Sequence, residues 1–473
     1  MPSQALEPIR KLPDDVLLEI FTAFLTTQEE TNTCPKPILL GSVCARWRTV
    51  TLSTSLLWTN ISVAVYRSLH LADAAKLIRL FSSRSGKSPL QISITVERNR
   101  LHDFWEVGDD EALCEPLINA LADSAERWQH VYARLPRDFI KRIERALDRR
   151  LPGPLPMLEQ LDIDETSLTR WLPYVQRPLP VRMFSGAHRL RHVTFGLINV
   201  FGDIVPRYEL SWNHIQQIDH LLVDAQGLAE LMRRCPNLLR CDSLSMGLGT
   251  DRDLGINHPL RLISHGLQAL DIFFHTHHSD DKFFDHFHLP SLRDVRLKWQ
   301  QWWGAHTLAK ATSFLTKSFT LQRLVLRLTS GSLPASNMRA LLRALPGLEE
   351  FEYCHGKTLI GTPTVYSKEL LVELTLTTPT PLLPNLRVLS LIGMLDMDPV
   401  AFTAMVRSRV VEKEKGHLYN GVILQSLHMH ILDNPRSLTV EDLGEVRAIL
   451  GDRADIRTVI RIPVRSPAFP ELL

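Results

Sequence analysis

Apolar and polar positions change rhythm along this chain. Residues 12–21 read LPDDVLLEIF, a helix in prospect. Pro13 suits a first helical position, where its missing N–H costs nothing, and Asp14 and Asp15 complement the positive end of the helix dipole. Val16, Leu17, Ile20, Phe21 and Phe24 then recur at helical spacing. Leu18 and Leu25 widen the stripe, so this helix needs burial on more than one side. Residues 26–37 are polar and hold two prolines, which predicts a loop. Ile38, Leu39, Leu40, Val43, Cys44, Trp47, Val50 and Leu52 resume the helical pattern, and LSTSLLW closes it at Trp58. A unit this small buries little surface alone. Its excess of apolar side chains therefore predicts a partner, or else packing on the rest of the chain.

Beyond it, residues 69–82 have helical spacing, 90–96 alternate with period two as a strand does, and 117–128 read as another helix before an apolar run at Val131. A recurring phrase follows, Leu-x-x-Leu-x-Leu with substitutions. Its clear copies begin at Leu158, Leu190, Leu267, Leu292, Leu321, Leu348, Leu371, Leu386 and Leu424, and weaker ones at Ile215 and Leu238. Pro156, Pro236, Pro290, Pro346 and Pro384 each stand two residues ahead of a copy. Most copies lie roughly 25–32 residues apart, near the ~20–29-residue leucine-rich-repeat period, with helical patterns such as 227–234 and 338–345 between them. No single unit of this kind can bury its own leucines, and stacking buries them together. The expected fold is α/β: a three-helix module at 10–60, a transition region with helices and a strand at 61–150, and an irregular repeat solenoid with a curved parallel sheet at 151–465. The alternative is an ordinary α/β domain with chance similarity among its strands.

Strand alternation sends the leucines inward and their neighbours to the open face. That assigns to the open face Asp162, Asp164, Asp271, Phe273, Asp294, Arg296, Lys298, Arg323, Arg327, Glu350, Glu352 and Glu373. Arg296, Lys298, Arg323 and Arg327 form a basic patch, which either pairs with the neighbouring glutamates or engages an acidic or phosphorylated protein segment. Trp299 and Trp302 would border it, as interface anchors or as plugs in an irregular solenoid; Trp303 adjoins them.

Composition narrows the chemistry. The 473 residues carry a net charge of +2, too little to give a general nucleic-acid binder its basic field. Six scattered cysteines, without a Cys-x-x-Cys pair, predict reduced thiols. The N-terminus lacks a signal-peptide core and no run of about 18 apolar residues is present, so we expect a soluble protein of the cytoplasm or nucleus with no membrane partner. No Walker loop, zinc-protease helix or Gly-x-Ser-x-Gly elbow occurs, and Gly247-Leu248-Gly249 reads as a loop. No enzyme, cofactor or catalytic residue is expected. The densest polar cluster, His275, His277, His278, Asp280, Asp281, His286 and His288, has metal-ligand chemistry. Set between repeat strands, it reads as a solvated loop anchored by Phe283, Phe284 and Phe287, with no metal. Residues 141–150 (KRIERALDRR) read as an amphipathic helix rather than a nuclear address.

LPDDVLLEIF, VCARWR and LSTSLLW, in that order, resemble the F-box of fungal F-box proteins with degenerate leucine-rich repeats. The resemblance implies that Leu12, Pro13, Val16, Leu17, Ile20 and Phe21 on the first helix, with Leu40, Val43, Cys44 and Trp47 on the later ones, bind a Skp-type adaptor and through it a cullin. The interruption at 26–36 is longer than the family's. Later landmarks also fit: LFSSRSGKSPL at 80–90, Ala125-Glu126-Arg127-Trp128 and Met405-Val406-Arg407-Ser408-Arg409. The implied protein is a non-catalytic subunit that recruits a protein substrate to a ubiquitin ligase. Its rival is a repeat scaffold acting apart from any ligase; a metal-dependent hydrolase using the histidine cluster ranks third.

Overall fold

Pro13 and the paired aspartates initiate the helix they predict: in the computed structural model, α1 spans Asp14–Thr26. The structure describes residues 12–26, 35–65, 70–96, 111–150, 155–165, 179–196, 208–246, 263–275, 277–300, 305–330, 333–357, 366–377, 380–393, 397–410, 423–432 and 438–459. Trp302, Trp303 and the 247–249 glycine segment fall outside them. The chain divides into two compact units, 1–216 and 217–473. None of the described helices is long and apolar enough to cross a membrane.

In the first unit α1 is followed by α2 (Lys36–Val43), α3 (Ala45–Ser53) and a 3-10 turn, Ser55–Trp58. Strands and helices then alternate: β1 (Asn60–Val65), α4 (Leu71–Arg84), β2 (Leu90–Val96), α5 (Glu111–Ser124), β3 (Trp128–Leu135), α6 (Arg137–Arg150), β4 (Gln160–Glu165) and β5 (His192–Phe195). The five strands pair in parallel, in chain order. The parallel array thus begins at Asn60, and β1, β2 and β3 pair in series with β4. In β1, Ile61, Val63 and Val65 are buried while Asn60, Ser62 and Ala64 face solvent.

Arg127 gives two of the sequence landmarks a physical meaning. Its guanidinium donates to the carbonyls of Ser82 (2.9 Å) and Ser88 (3.3 Å) and to Ser85 Oγ (3.0 Å). It thereby closes the turn that ends α4, where helix carbonyls lack partners and a cation is favoured.

The second unit opens with β6 (Gln217–Asp219), β7 (Leu222–Val223), α7 (Ala225–Arg234), β8 (Arg240–Met246), β9 (Ile263–Ser264) and β10 (Ala269–Phe274). Next come α8 (His277–His286), β11 (Phe287–His288), β12 (Asp294–Trp299), α9 (Ala305–Thr316), β13 (Arg323–Ser330), α10 (Ala335–Arg343) and β14 (Glu350–Lys357). It ends with α11 (Lys368–Glu373), β15 (Val388–Gly393), α12 (Pro399–Val410), β16 (Ser426–Leu432), α13 (Val440–Leu450) and β17 (Ala454–Val459). Strands 6, 8, 10 and 12 to 17 pair in parallel in that order, β7 adds to β8, and β9 pairs with β11 apart. The parallel sheet is open, not closed, as a solenoid-like repeat requires. Leu270, Val295, Leu324, Phe351, Leu389 and Leu427 stand in register and are buried. They form one inward row, the stacking that the leucine phrase anticipates.

One copy of that phrase is not a strand. Leu371 and Leu374 belong to α11 and its C-cap, started by Ser367, whose hydroxyl accepts from the Leu370 amide. Glu373 is therefore not an open-face strand position. It accepts from Arg339 and from Arg343 (2.8 Å) of α10. The connection into β15 is held by Arg409, which is 1% exposed. Its guanidinium donates to the carbonyls of Leu374 (2.8 Å), Leu382 (2.8 Å) and Leu383 (3.1 Å). Leu383 adopts φ 50°, a left-handed conformation costly for leucine, and this clamp stabilises it.

Candidate adaptor-binding and substrate-binding faces

The ten positions assigned to adaptor binding separate in the structure. Leu17, Phe21 and Leu40 are buried and form the helical module's own core, with the Phe21 ring edge-on to Trp47 at 4.8 Å. They hold the module together and lie beneath its surface. Leu12, Val16 and Trp47 are half-buried, and Pro13, Ile20, Val43 and Cys44 are exposed. Ile20 is 44% exposed and Val43 58%. Of the fourteen large hydrophobic residues exposed among the described ones, six lie here: Ile20, Ile38, Leu39, Val43, Leu52 and Leu56. Contiguous apolar patches on a protein surface are typical of interaction sites.

Polar contacts fix that surface. Arg46 pairs with Asp14 at 2.5 Å and donates to the Leu12 carbonyl, tying α3 to the start of α1. Lys36 donates to the carbonyls of Phe24 (3.4 Å) and Leu25 (3.3 Å) and lies over the Phe24 ring, so it satisfies the last turn of α1. Cys44 Sγ accepts from the Trp47 amide at 3.4 Å as the α3 N-cap. Trp58 anchors the module below: its Nε1 donates to the Thr51 carbonyl (2.8 Å), and its ring meets Phe81 of α4 at 5.0 Å.

On the open face of the second unit, parallel register draws side chains into rows. One row runs Asp294, Arg323, Glu350, Val388, Ser426. The next runs Asp271, Arg296, Val325, Glu352, Ser390, His428, Asp455, and the third runs Phe273, Lys298, Arg327, Cys354, Ile392, His430, Arg457. The four expected cations do gather here, and each has a carboxylate. Lys298 lies 2.7 Å from Asp271, Arg296 3.5 Å from Asp294, Arg323 3.3 Å from Glu350, and Arg327 2.7 Å from Glu352. The face is thus a charge-paired lattice and not an unopposed basic patch. Asp271 is only 6% exposed and lies beneath its cation, whereas Arg327 is 47% exposed.

Trp299 does not border this face. It is 2% exposed, on the inward side of β12, stacked with Phe274 at 5.7 Å. It plugs the core, and Trp302 lies outside the described residues. The histidine-rich stretch is mostly helical, in α8, rather than a loop. Phe283, Phe284 and Phe287 anchor it as expected, packed with Phe274 and Phe314. Among the described residues no group of histidine, cysteine and carboxylate side chains is arranged to hold a metal ion. Burial lowers the His275 pKa below the usual imidazole value. Burial pushes the Cys235 thiol up to about 12 and Cys241 well above its ordinary value, which keeps both as unreactive thiols. Residues 141–150 lie in α6 with Ile143, Ala146 and Leu147 buried. Their Lys141 and Glu144 pair with each other, and Glu144 also accepts from the Met183 amide at 3.2 Å, so this part of the run is structural.

Fold and faces together describe an N-terminal helical module with several exposed apolar side chains, continued by parallel strand–helix units. Residues 9–64 match the F-box-like family. Domains of that family bind Skp-type adaptors and serve substrate recognition by ubiquitin ligases. No curated protein matches the chain.

Proposed function

We propose that this protein is the substrate-recruiting subunit of a Skp–cullin–F-box ubiquitin ligase. The F-box-like module binds the adaptor, and through it a cullin; the open face of the second unit's sheet receives a protein substrate. The chain catalyses nothing and uses no cofactor. It acts by effective concentration, keeping the substrate near a ubiquitin-loaded enzyme, in the cytoplasm or nucleus. The observation that carries this reading is the exposure of Ile20 and Val43 on a module whose sequence matches the F-box-like family. Co-expression with a Skp-type adaptor tests it. The tagged chain should retain the adaptor through purification, and the I20E/V43E variant should not. A folded wild-type chain that retains none leaves the repeats as a scaffold independent of the ligase.

A further inference from the structure

The third outward row of the second unit differs from its neighbours. It carries no carboxylate: Ile392 and Cys354 stand near its centre, Lys298 and Arg327 on one side, His430 and Arg457 on the other. The carboxylates that balance these cations stand in the second row, where Glu352, largely covered, holds Arg327, and Asp455, half exposed, holds Arg457 at 3.1 Å. Each arginine is thereby oriented, and both remain open to solvent, Arg327 at 47% and Arg457 at 74%. Ile392 and Cys354 are half-buried, as at the centre of an interface whose rim is polar.

Ile392 lies two strands from Arg327 and two from Arg457. Neighbouring strands are ~4.8 Å apart, so each arginine column is ~10 Å from the apolar centre. A polyproline-II segment rises ~3.1 Å per residue and returns its side chains to one side every three residues, ~9 Å. Laid across the strands along this row, such a segment places an apolar residue on Ile392 and the residues three positions before and after it on the two arginines. We propose that this row is the docking site for the ligase substrate, and that it selects an extended segment whose apolar anchor is flanked at three-residue spacing by acidic residues. The proposal rests on the substrate-recruiting reading and gives that substrate a chemistry. Donation from the guanidinium N–H groups that Glu352 and Asp455 leave free supplies specificity, and the apolar centre supplies contact area.

The test is fluorescence-anisotropy titration of the full chain with a labelled peptide, Glu-Pro-Pro-Leu-Pro-Pro-Glu. Two further peptides carry lysine at both flanks or alanine at the centre. Saturable binding of the acidic peptide is expected, with each alternative at least about tenfold weaker. I392D and R457E should each weaken the acidic peptide by a similar factor; Arg457 is so exposed that its replacement leaves the fold intact. Adaptor retention is measured on the same samples. Retention without peptide binding, or equal binding of lysine- and glutamate-flanked peptides, overturns the docking site and leaves the ligase reading standing. Selective peptide binding without adaptor retention upholds the site and sinks the ligase reading.

Discussion

The carbonyl oxygen of His355 occupies the space a side chain on Gly393 would need: an added Cβ would lie 2.7 Å from it and 2.8 Å from the imidazole Nε2. Gly393 also has φ 136°, a conformation that L side chains rarely adopt. G393A should therefore lower the stability of the chain by about 1–3 kcal/mol, read as a shift in the urea midpoint. Gly444, inside α13 with open space at its Cβ position, is the control. G444A should be neutral or stabilise by up to about 1 kcal/mol.

Arg409 makes a second stability prediction. Burial lowers its pKa to about 10, still far above neutrality, so the group is charged, and its side-chain partners among the described residues are carbonyls. R409M orphans three buried acceptors, each worth roughly 1–3 kcal/mol. R409K should recover little, because one ammonium cannot reach three carbonyls that the planar guanidinium meets together. Denaturation midpoints for the two variants should fall close to each other and well below wild type. A full rescue by lysine would show that charge alone matters at this position.

The helical module should show separable failures. L17E buries an unpaired charge in its core and should unfold it, at several kcal/mol. I20E changes an exposed residue and should leave the circular-dichroism spectrum and melting temperature unchanged while removing adaptor capture. Equal loss of structure in both variants would mean that Ile20 belongs to the core.

His275 sets a pH dependence. Its folded-state pKa is depressed by burial, so the unfolded chain binds the proton more readily and stability rises with pH in this range. The contribution is fully present above about 6.5 and is lost as pH falls through the lower folded value. H275Q should flatten the stability curve across that window.

The leucine phrase located most strands because its fourth and sixth positions both point inward in an extended chain. At Leu371 it failed because the first and fourth positions are also neighbours on a helix. The readable signal there was Ser367, a residue type that caps helices, three residues before Leu370. β1 was missed although Ile61, Val63 and Val65 alternate cleanly. The open-face residues of β12 to β14 were legible by alternation, but their pairing was not. Whether Arg323 meets Glu350 depends on cross-strand register, which the spacing of copies leaves undetermined. In the same way, helical periodicity marked Leu17 and Ile20 alike, and only the packing of three helices tells the buried one from the exposed one.

Trp58 has a practical consequence for anyone cutting the chain. Its indole is fastened to α3 through Thr51 and to α4 through Phe81, so the end of the helical module is also the floor of the first strand–helix unit. A fragment ending at residue 64, where the family match stops, would strip away Phe81 and leave the indole facing water. An excision that keeps α4 and its Arg127 staple, ending after Leu135, preserves both packing partners. Grafting a foreign receptor onto this module is accordingly a question of where that tryptophan finds its second ring.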